Sequence, residues 1–315
     1  MRDGFGREIT YLRLSVTDRC NLRCRYCMPE EGVSLQDHEE MLTQEEMLAA
    51  VEAAASLGIT KLRITGGEPL VKKNILSICR QCAQVEGIRE VCITTNGLLL
   101  PQLAEPLRDA GVSRVNISLD TLDGEKYRRI TRVGELPQAL AGIEAALKAG
   151  FEKVKLNVVL IGGFNDDEIP ALAELTRRWP VDVRFIELMP MTEGFPQSAF
   201  IPCTAVLERL PELEPVSGRG GTARLYRLPG GMGNVGLISP VSDHFCASCD
   251  RLRLTADGKV KPCLHAETEL SLKGLSREEM VQQLRAAILA KPRCHEPLSH
   301  AQPSRAGRDM NQIGG

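Results

Sequence analysis

The sequence predicts an α/β protein: an incomplete (β/α)6 barrel of the TIM type over residues 1–190, followed by a smaller α+β region over residues 191–315. Three observations carry this. Strand-like runs alternate with helical patterns six times before Met189. Gly58, Gly111 and Gly150 each close a helical pattern just ahead of a strand, as left-handed helix caps do. After Met189 the alternation stops and glycine-rich, hairpin-like segments replace it. Repeated βα units imply parallel strands joined by right-handed crossovers. A doubly wound open sheet is the other arrangement that the same pattern allows.

The first strand covers residues 11–17. The next segment, "TQEEMLAAVEAAASLG", pairs Thr43 with Glu46 as a capping box, spaces its apolar residues helically and stops at Gly58. Strands follow at 61–65, 91–95, 114–119, 153–160 and 182–188, with helices at 75–85, 101–110, 137–149 and 166–178. "LIGGFNDDEI" reads as a strand-to-helix loop capped by Asn165 or Asp166. "PMTEGFPQ" reads as a linker, and "RLRLTADGKVKPC" as a hairpin turning at Asp257-Gly258. A last helix spans 277–289. By composition alone, the polar tail from 292 to 315 reads as a frayed end.

With 315 residues, 43% of them hydrophobic, the chain can bury a large core. A net charge of −2 gives no broad electrostatic reason to expect nucleic acid or an anionic membrane, and leaves room for a local basic pocket. No apolar run has the length of a membrane span, and the opening "MRDGFGREITYLRLSV" lacks a signal-peptide core. The expectation is a soluble, cytoplasmic protein. Its eleven cysteines are an odd count, six of them in two triplets. In that compartment such clustering points to metal or redox chemistry rather than disulfides.

Cys20, Cys24 and Cys27 follow the first strand as C-x3-C-x2-C, in the loop where parallel-stranded folds place their chemistry. Thiolate sulfur suits zinc, copper(I) or iron–sulfur clusters. A structural zinc takes four ligands, usually in two pairs. Three close cysteines can instead hold three irons of a cubane and leave the fourth free for a small molecule. Cys246, Cys249 and Cys263 form C-x2-C-x13-C. His244, His265 or Cys294 would complete a zinc site there; without a fourth ligand the triplet would hold a second cluster with an open iron. Cys79 and Cys82 fall in a helical pattern with Ile75, Ile78 and Val85 and read as packing, as does Cys92 within a strand. Cys203 and Cys294 belong to no motif.

The first triplet with its Tyr26, followed after the next strand by "GGEP" (66–69), resembles the radical S-adenosylmethionine (SAM) superfamily. "TGGEP" alone would be only a strand-to-helix turn, and it lacks a phosphate-loop pattern. Taken in order, "FGREITYLRLSVTDRCNLRCRYCMP", "KLRITGGEPLV", "ITTNGLLL", "NISLDTL", "VKLNVV", "RFIELMP", "CASCDRLRLTADGKVKPCL" and the terminal "IGG" resemble one lyase family within it, the GTP 3′,8-cyclases that open molybdenum-cofactor biosynthesis. Leu22 departs from that family, which often carries an aromatic residue there.

The resemblance implies two [4Fe–4S] clusters, the first on Cys20, Cys24 and Cys27 and the second on Cys246, Cys249 and Cys263. It implies SAM contacts from Tyr26, Gly67, Ser118 and Met189, with Asn157 nearby. It implies GTP contacts from Arg13, Lys61, Arg63, Thr94, Lys155, Arg251, Leu252 and Arg253. Arg13, Arg251, Arg253 and the terminal Gly314 and Gly315 would be catalytic, the glycines reaching into the active site. In the implied reaction the reduced first cluster cleaves SAM to a 5′-deoxyadenosyl radical, which takes the hydrogen from C3′ of GTP. C3′ then bonds to C8, and the resulting aminyl radical takes up one electron and one proton to give (8S)-3′,8-cyclo-7,8-dihydroguanosine 5′-triphosphate. The second cluster's open iron would orient the guanine. An external electron donor, a homodimer and a hand-off to cyclic pyranopterin monophosphate synthase are also implied. Competing readings are a radical SAM enzyme acting on a peptide or another enzyme, a zinc-bearing binding module, and a simple electron carrier. The single compact second triplet, the "RLR" after it and the terminal Gly-Gly favour GTP. Asp120 falls near the barrel mouth with no role that the sequence assigns.

Overall fold

The computed structural model describes residues 1–32, 37, 39–191, 195–299 and 302–314. Strands β1 (Tyr11–Ser15), β2 (Lys61–Thr65), β3 (Glu90–Thr95), β4 (Arg114–Ser118), β5 (Lys153–Leu160) and β6 (Val181–Glu187) lie side by side in chain order, all parallel. Helices α1 (Gln44–Ser56), α2 (Ile75–Gln84), α3 (Leu100–Asp109), α4 (Gly124–Thr131), α5 (Leu136–Ala149) and α6 (Ile169–Arg178) lie between these strands in sequence. Each strand sends alternate side chains to opposite faces. In β5 the pattern is complete: Val154, Leu156, Val158 and Leu160 are buried in the apolar core, while Lys153, Lys155, Asn157 and Val159 point the other way. Leu12, Leu62, Ile64, Val115, Val183 and Phe185 join that core from neighbouring strands.

The C-terminal region adds to both edges of this sheet. Past β6 come β9 (Val235–Ile238, parallel to it), β8 (Ala223–Arg227) and β7 (Glu214–Gly220). Beside β1 come β10 (Arg251–Leu254, parallel to it), β11 (Lys259–Lys261) and β12 (Leu270–Ser271). Among the described residues the result is one open, 12-stranded sheet in which β10 and β9 prolong the parallel array. Helices α7 (Thr204–Arg209), α8 (Arg277–Leu289) and α9 (Met310–Ile313) complete the chain. Among the described residues no helix is long and apolar enough to cross a membrane.

Several sequence expectations meet their physical counterparts. Thr43 and Glu46 form both halves of the capping box on α1, at 3.1 and 2.9 Å. Gly58, Gly111 and Gly150 all have positive φ. The hairpin turns through Gly258 at φ +79°. Two expectations differ. The sequence reading had no helix at α4, which is short and highly charged; it forms because the Asp123 side chain accepts from the Lys126 N–H and because Tyr127 and Ile130 are buried. Asn165 caps no helix: Oδ1 accepts from the Ile161 N–H while Nδ2 donates to the carbonyls of Asp120 and Val159, bracing the loop.

Candidate active site

The face of the sheet turned from the core is polar and lines a cavity of ≈560 Å³, within the usual size range of small-molecule sites. Arg251 and Arg253 reach it from β10, Tyr11 and Arg13 from β1, and Lys61 and Arg63 from β2. Thr94 comes from β3, Ser118 from β4, and Lys155 and Asn157 from β5. Register makes this a cationic wall. Arg13 lies directly opposite Arg63 on one side and Arg253 on the other, and adjacent strands run about 4.8 Å apart. Burial, then the charge of Arg253, holds Arg13 well below its ordinary pKa. Burial and Arg251 bring Arg253 down to about 10; burial and Arg184 bring Lys155 down to about 7. An anion in the cavity would relieve all three. Arg63 donates to the hydroxyls of Tyr11 and Thr94, which fixes its fork.

The first cysteine loop hangs on α4, the helix absent from the sequence reading. Arg23 N–H donates to Thr131 O and Arg25 N–H to Ile130 O, both at 3.0 Å. Cys27 and Met28 N–H both donate back to Cys24 O. All three thiols of the loop line the cavity. Burial pushes Cys20 up to about 11 and Cys27 up to about 12, and Cys24 well above its usual range. Such thiols become thiolates only against a bound cation, which is what the irons of a cluster supply, so the donor set fits an iron–sulfur cluster. Leu22, in the family's aromatic position, is buried, and its N–H points at the Cys20 sulfur at 3.4 Å.

The "GGEP" turn docks on the same loop. Gly67 N–H donates to Thr17 O and Glu68 N–H to Arg19 O, both at 2.8 Å. A Cβ on Gly67 would fall 2.4 Å from Arg19 O, so only glycine fits. Tyr26 donates its hydroxyl to Asp120 Oδ2 at 2.7 Å, and Asp120 Oδ1 accepts from Val159 N–H at 2.8 Å. Asp120 thereby acquires the role that the sequence did not assign: it orients Tyr26 beside the cysteines. Burial raises Asp120 to about 6. Gly67, Tyr26, Ser118 and Met189 all line the cavity.

Cys246, Cys249 and Cys263 line the same cavity, with His244, Phe245, His265, Lys291 and His295. The imidazole of His295 lies 5.3 Å from that of His244 and 4.7 Å from that of His265. His265 Nδ1 is 2.9 Å from Ser304 Oγ. Cys294 is exposed and outside the lining. Lys291, 3% exposed, donates to Arg251 O and Pro262 O at 2.8 and 2.7 Å. Burial raises Cys249, but Lys291 and Arg251 more than offset it, so its thiol falls below the usual value. Burial raises Cys263. Among the described residues, no three His, Cys, Asp or Glu side chains gather as a single metal ion requires.

One expected contact sits elsewhere. Leu252 alternates with its arginine neighbours and is buried in the apolar core, so only its backbone is near the cavity wall. Gly314 is buried, and its carbonyl accepts from Arg253 Nη1 at 2.8 Å. Gly315 lies outside the described residues. Cys79 and Cys82 are buried in the core, their thiols pushed up to about 12. Sequence reasoning missed Tyr11, Arg114, Asn116, Arg184, Lys291 and His295, all of which line the cavity. The period-two alternation of β4 and β6 carries the signal for Arg114, Asn116 and Arg184, since each shares a face with a residue already singled out.

The fold and the cysteine loop have counterparts among known proteins. The profile of the radical SAM superfamily matches residues 14–176, and that of Molybdenum Cofactor Synthesis C matches residues 181–297. The chain is 49% identical to the GTP 3′,8-cyclase of Alkaliphilus oremlandii and 47% identical to that of Moorella thermoacetica, each over 100% of both chains. The crystal structure of Streptococcus suis SuiB bound to S-adenosylmethionine superimposes with a TM-score of 0.64 at 14% identity, over 87% of this chain and 64% of that one, a likeness of fold. A parallel, unclosed sheet with C-x3-C-x2-C in its first loop and Gly-Gly-Glu-Pro in its second defines a radical SAM enzyme, with a [4Fe–4S] cluster and SAM as its cofactors. Within that superfamily the chain belongs to the GTP 3′,8-cyclase family.

Proposed function

We propose that the chain converts GTP to (8S)-3′,8-cyclo-7,8-dihydroguanosine 5′-triphosphate, in keeping with the name GTP 3′,8-cyclase that its relatives carry, and so opens molybdenum-cofactor biosynthesis, in keeping with the match to Molybdenum Cofactor Synthesis C. The observation that carries the substrate is the in-register row Arg253–Arg13–Arg63, set in one cavity with both cysteine triplets. A triphosphate matches it, since arginine forks bond phosphate oxygens in pairs and lysine adds a point charge. Cys20, Cys24 and Cys27 would hold the first cluster, which with SAM would supply hydrogen-atom abstraction at C3′ of GTP; C3′–C8 bonding would then be completed by one electron from the external donor and one proton. The chain's residues do the rest. Tyr26, Gly67, Ser118 and Met189 hold SAM. Arg13, Lys61, Arg63, Thr94, Lys155, Arg251 and Arg253 hold GTP, with the Leu252 backbone beside them. Cys246, Cys249 and Cys263 carry a second [4Fe–4S] cluster that positions the base, and Gly314 and Gly315 are catalytic. The protein works in the cytoplasm as a homodimer, takes electrons from an external donor and passes its product to cyclic pyranopterin monophosphate synthase.

The test is 5′-deoxyadenosine formation by anaerobically reconstituted, dithionite-reduced protein. A strong rise with GTP, together with a cyclised nucleotide, is expected. Formation that ignores GTP would keep the radical chemistry and reject the substrate.

A pH effect follows from Lys155, which burial and Arg184 bring down to about 7. Below that pH the free protein already carries the ammonium that a phosphate needs. Above it, binding must first take up a proton, so affinity falls by up to about tenfold per pH unit. KM for GTP measured from pH 6 to 8.5 should therefore climb above pH 7. Lys155→Met should climb less, and the difference between the two profiles separates Lys155 from the titration of GTP itself. Parallel profiles would remove Lys155 from the phosphate site.

A further inference from the structure

The segment after α8, residues 291–293, is tied to the backbone beside all three cysteines of the second triplet. Cys246 and Cys249 bracket a single 3-10 turn, Cys246–Ser248. Cys263 comes from the other arm of the hairpin, just after β11. The pairing of that hairpin stops at Arg253 opposite Lys261. Beyond it, one arm leads to Cys249 and the other to Cys263. Lys291 joins the two arms there: its Nζ donates to Arg251 O at 2.8 Å and to Pro262 O at 2.7 Å.

Arg7 ties in the remaining cysteine. Its Nη1 donates to Cys246 O at 2.8 Å and to Arg293 O at 3.1 Å, and its Nη2 to Pro292 O at 2.6 Å. Its Nε donates to the buried Asp3 at 2.6 Å, which fixes the plane of the fork. Both cations are buried. Lys291 donates to neutral carbonyls, and among the described residues no carboxylate pairs with it. A buried ammonium without a countercharge is costly. Thiolates in the cavity that Lys291 helps to line would supply that countercharge.

We propose that Lys291 and Arg7 are positioning residues of the second cluster, holding its three cysteine segments on the strap 291–293 so that the cluster is retained. The proposal rests on the reading of Cys246, Cys249 and Cys263 as the ligands of that cluster. Groups outside the ligand set orient the ligands, and their loss weakens metal retention even when every ligand remains. Neither cation has to touch GTP or SAM to act in this way.

Iron release to the chelator bathophenanthroline disulfonate, followed anaerobically on full-length, reconstituted protein, tests this. Cys263→Ser identifies the phase that belongs to the second cluster, because that phase should be missing from it. Lys291→Met keeps the stem and removes the ammonium. Arg7→Lys keeps the charge and removes the fork that spans three carbonyls. Each should release second-cluster iron about tenfold faster than the parent, with the first-cluster phase at the parent rate. A parent rate for the second-cluster phase in either variant would overturn the proposal. Equal acceleration of both phases, the mark of a general loosening, would overturn it too. If Lys291→Met does not fold, Arg7→Lys decides alone by the same two criteria. If Cys263→Ser retains as much iron and sulfide as the parent, the triplet holds no cluster, and the reading beneath the proposal fails instead.

Discussion

Gly314→Ala is expected to lower GTP-dependent turnover by about 100-fold while leaving iron content and melting temperature unchanged. Gly314 sits at φ +80°, ψ +70°, a left-handed conformation that costs an L-residue about 1–2 kcal/mol. An added Cβ would stand 2.4 Å from Thr65 Oγ1 and 3.3 Å from Ser15 Cβ. Thr65 cannot easily yield: it is 1% exposed and its hydroxyl donates to Leu14 O. Crowding of this kind adds about 1–3 kcal/mol. Together they come to about 2–5 kcal/mol, a range that brackets the ~2.7 kcal/mol that a 100-fold rate loss represents. The tail would withdraw and the Arg253 bond to Gly314 O would be lost. Adding Thr65→Ala should restore part of the activity by removing the blocking oxygen. Full activity in Gly314→Ala would mean that the tail's seat has no part in turnover.

That tail marks the limit of what the sequence reveals. Its composition is polar and its pattern irregular, so local physics predicts fraying. Its order comes from long-range partners, Asp257, Glu269 and Arg253, whose proximity no local pattern encodes. The strands were legible because their apolar alternation is local: β5 reads directly as lumen and core faces. The cysteine triplets were legible because ligand spacing is local too. Helix α4 was not, since its weak apolar stripe of Tyr127 and Ile130 sits among charges and matters through the loop it holds. Nor could the sequence show β10 lying against β1, although that single pairing sets Arg253 beside Arg13. Arg184 lines the cavity but was not singled out, because a polar lumen and a solvated face share the same period.

Glu68→Ala is expected to lower the melting temperature by about 10 °C. Glu68 is buried, and its carboxyl accepts from Leu70 N–H at 3.0 Å, Thr95 Oγ1 at 2.7 Å and Asn96 N–H at 2.7 Å. It ties the turn after β2 to the end of β3. Alanine leaves all three donors without their acceptor, each worth about 1–3 kcal/mol when buried. The sum is about 3–9 kcal/mol, a large share of a typical folding free energy, and each kcal/mol moves the midpoint of a chain this long by about 2 °C. Glu68→Gln keeps one acceptor oxygen but turns an amide N–H₂ toward a donor, so it should fall between. The two variants also separate by pH. Burial raises Glu68 from 4.5 to about 7, so the folded state binds its proton more tightly than the unfolded chain does. The stability this confers is full below pH 4.5 and is lost as pH rises through 7, a slope that glutamine lacks. Melts by circular dichroism at pH 5.5 and 7.5 check both points, and a Glu68→Ala midpoint within 2 °C of the parent would sink the brace. The loss would reach function through the neighbouring bonds, because the same turn places Gly67 against Thr17 and Glu68 against Arg19. Once the brace is gone the Gly67–Glu68 backbone and the cysteine loop move independently; with Gly67 holding SAM as proposed, SAM affinity should fall even at temperatures where the variant remains folded.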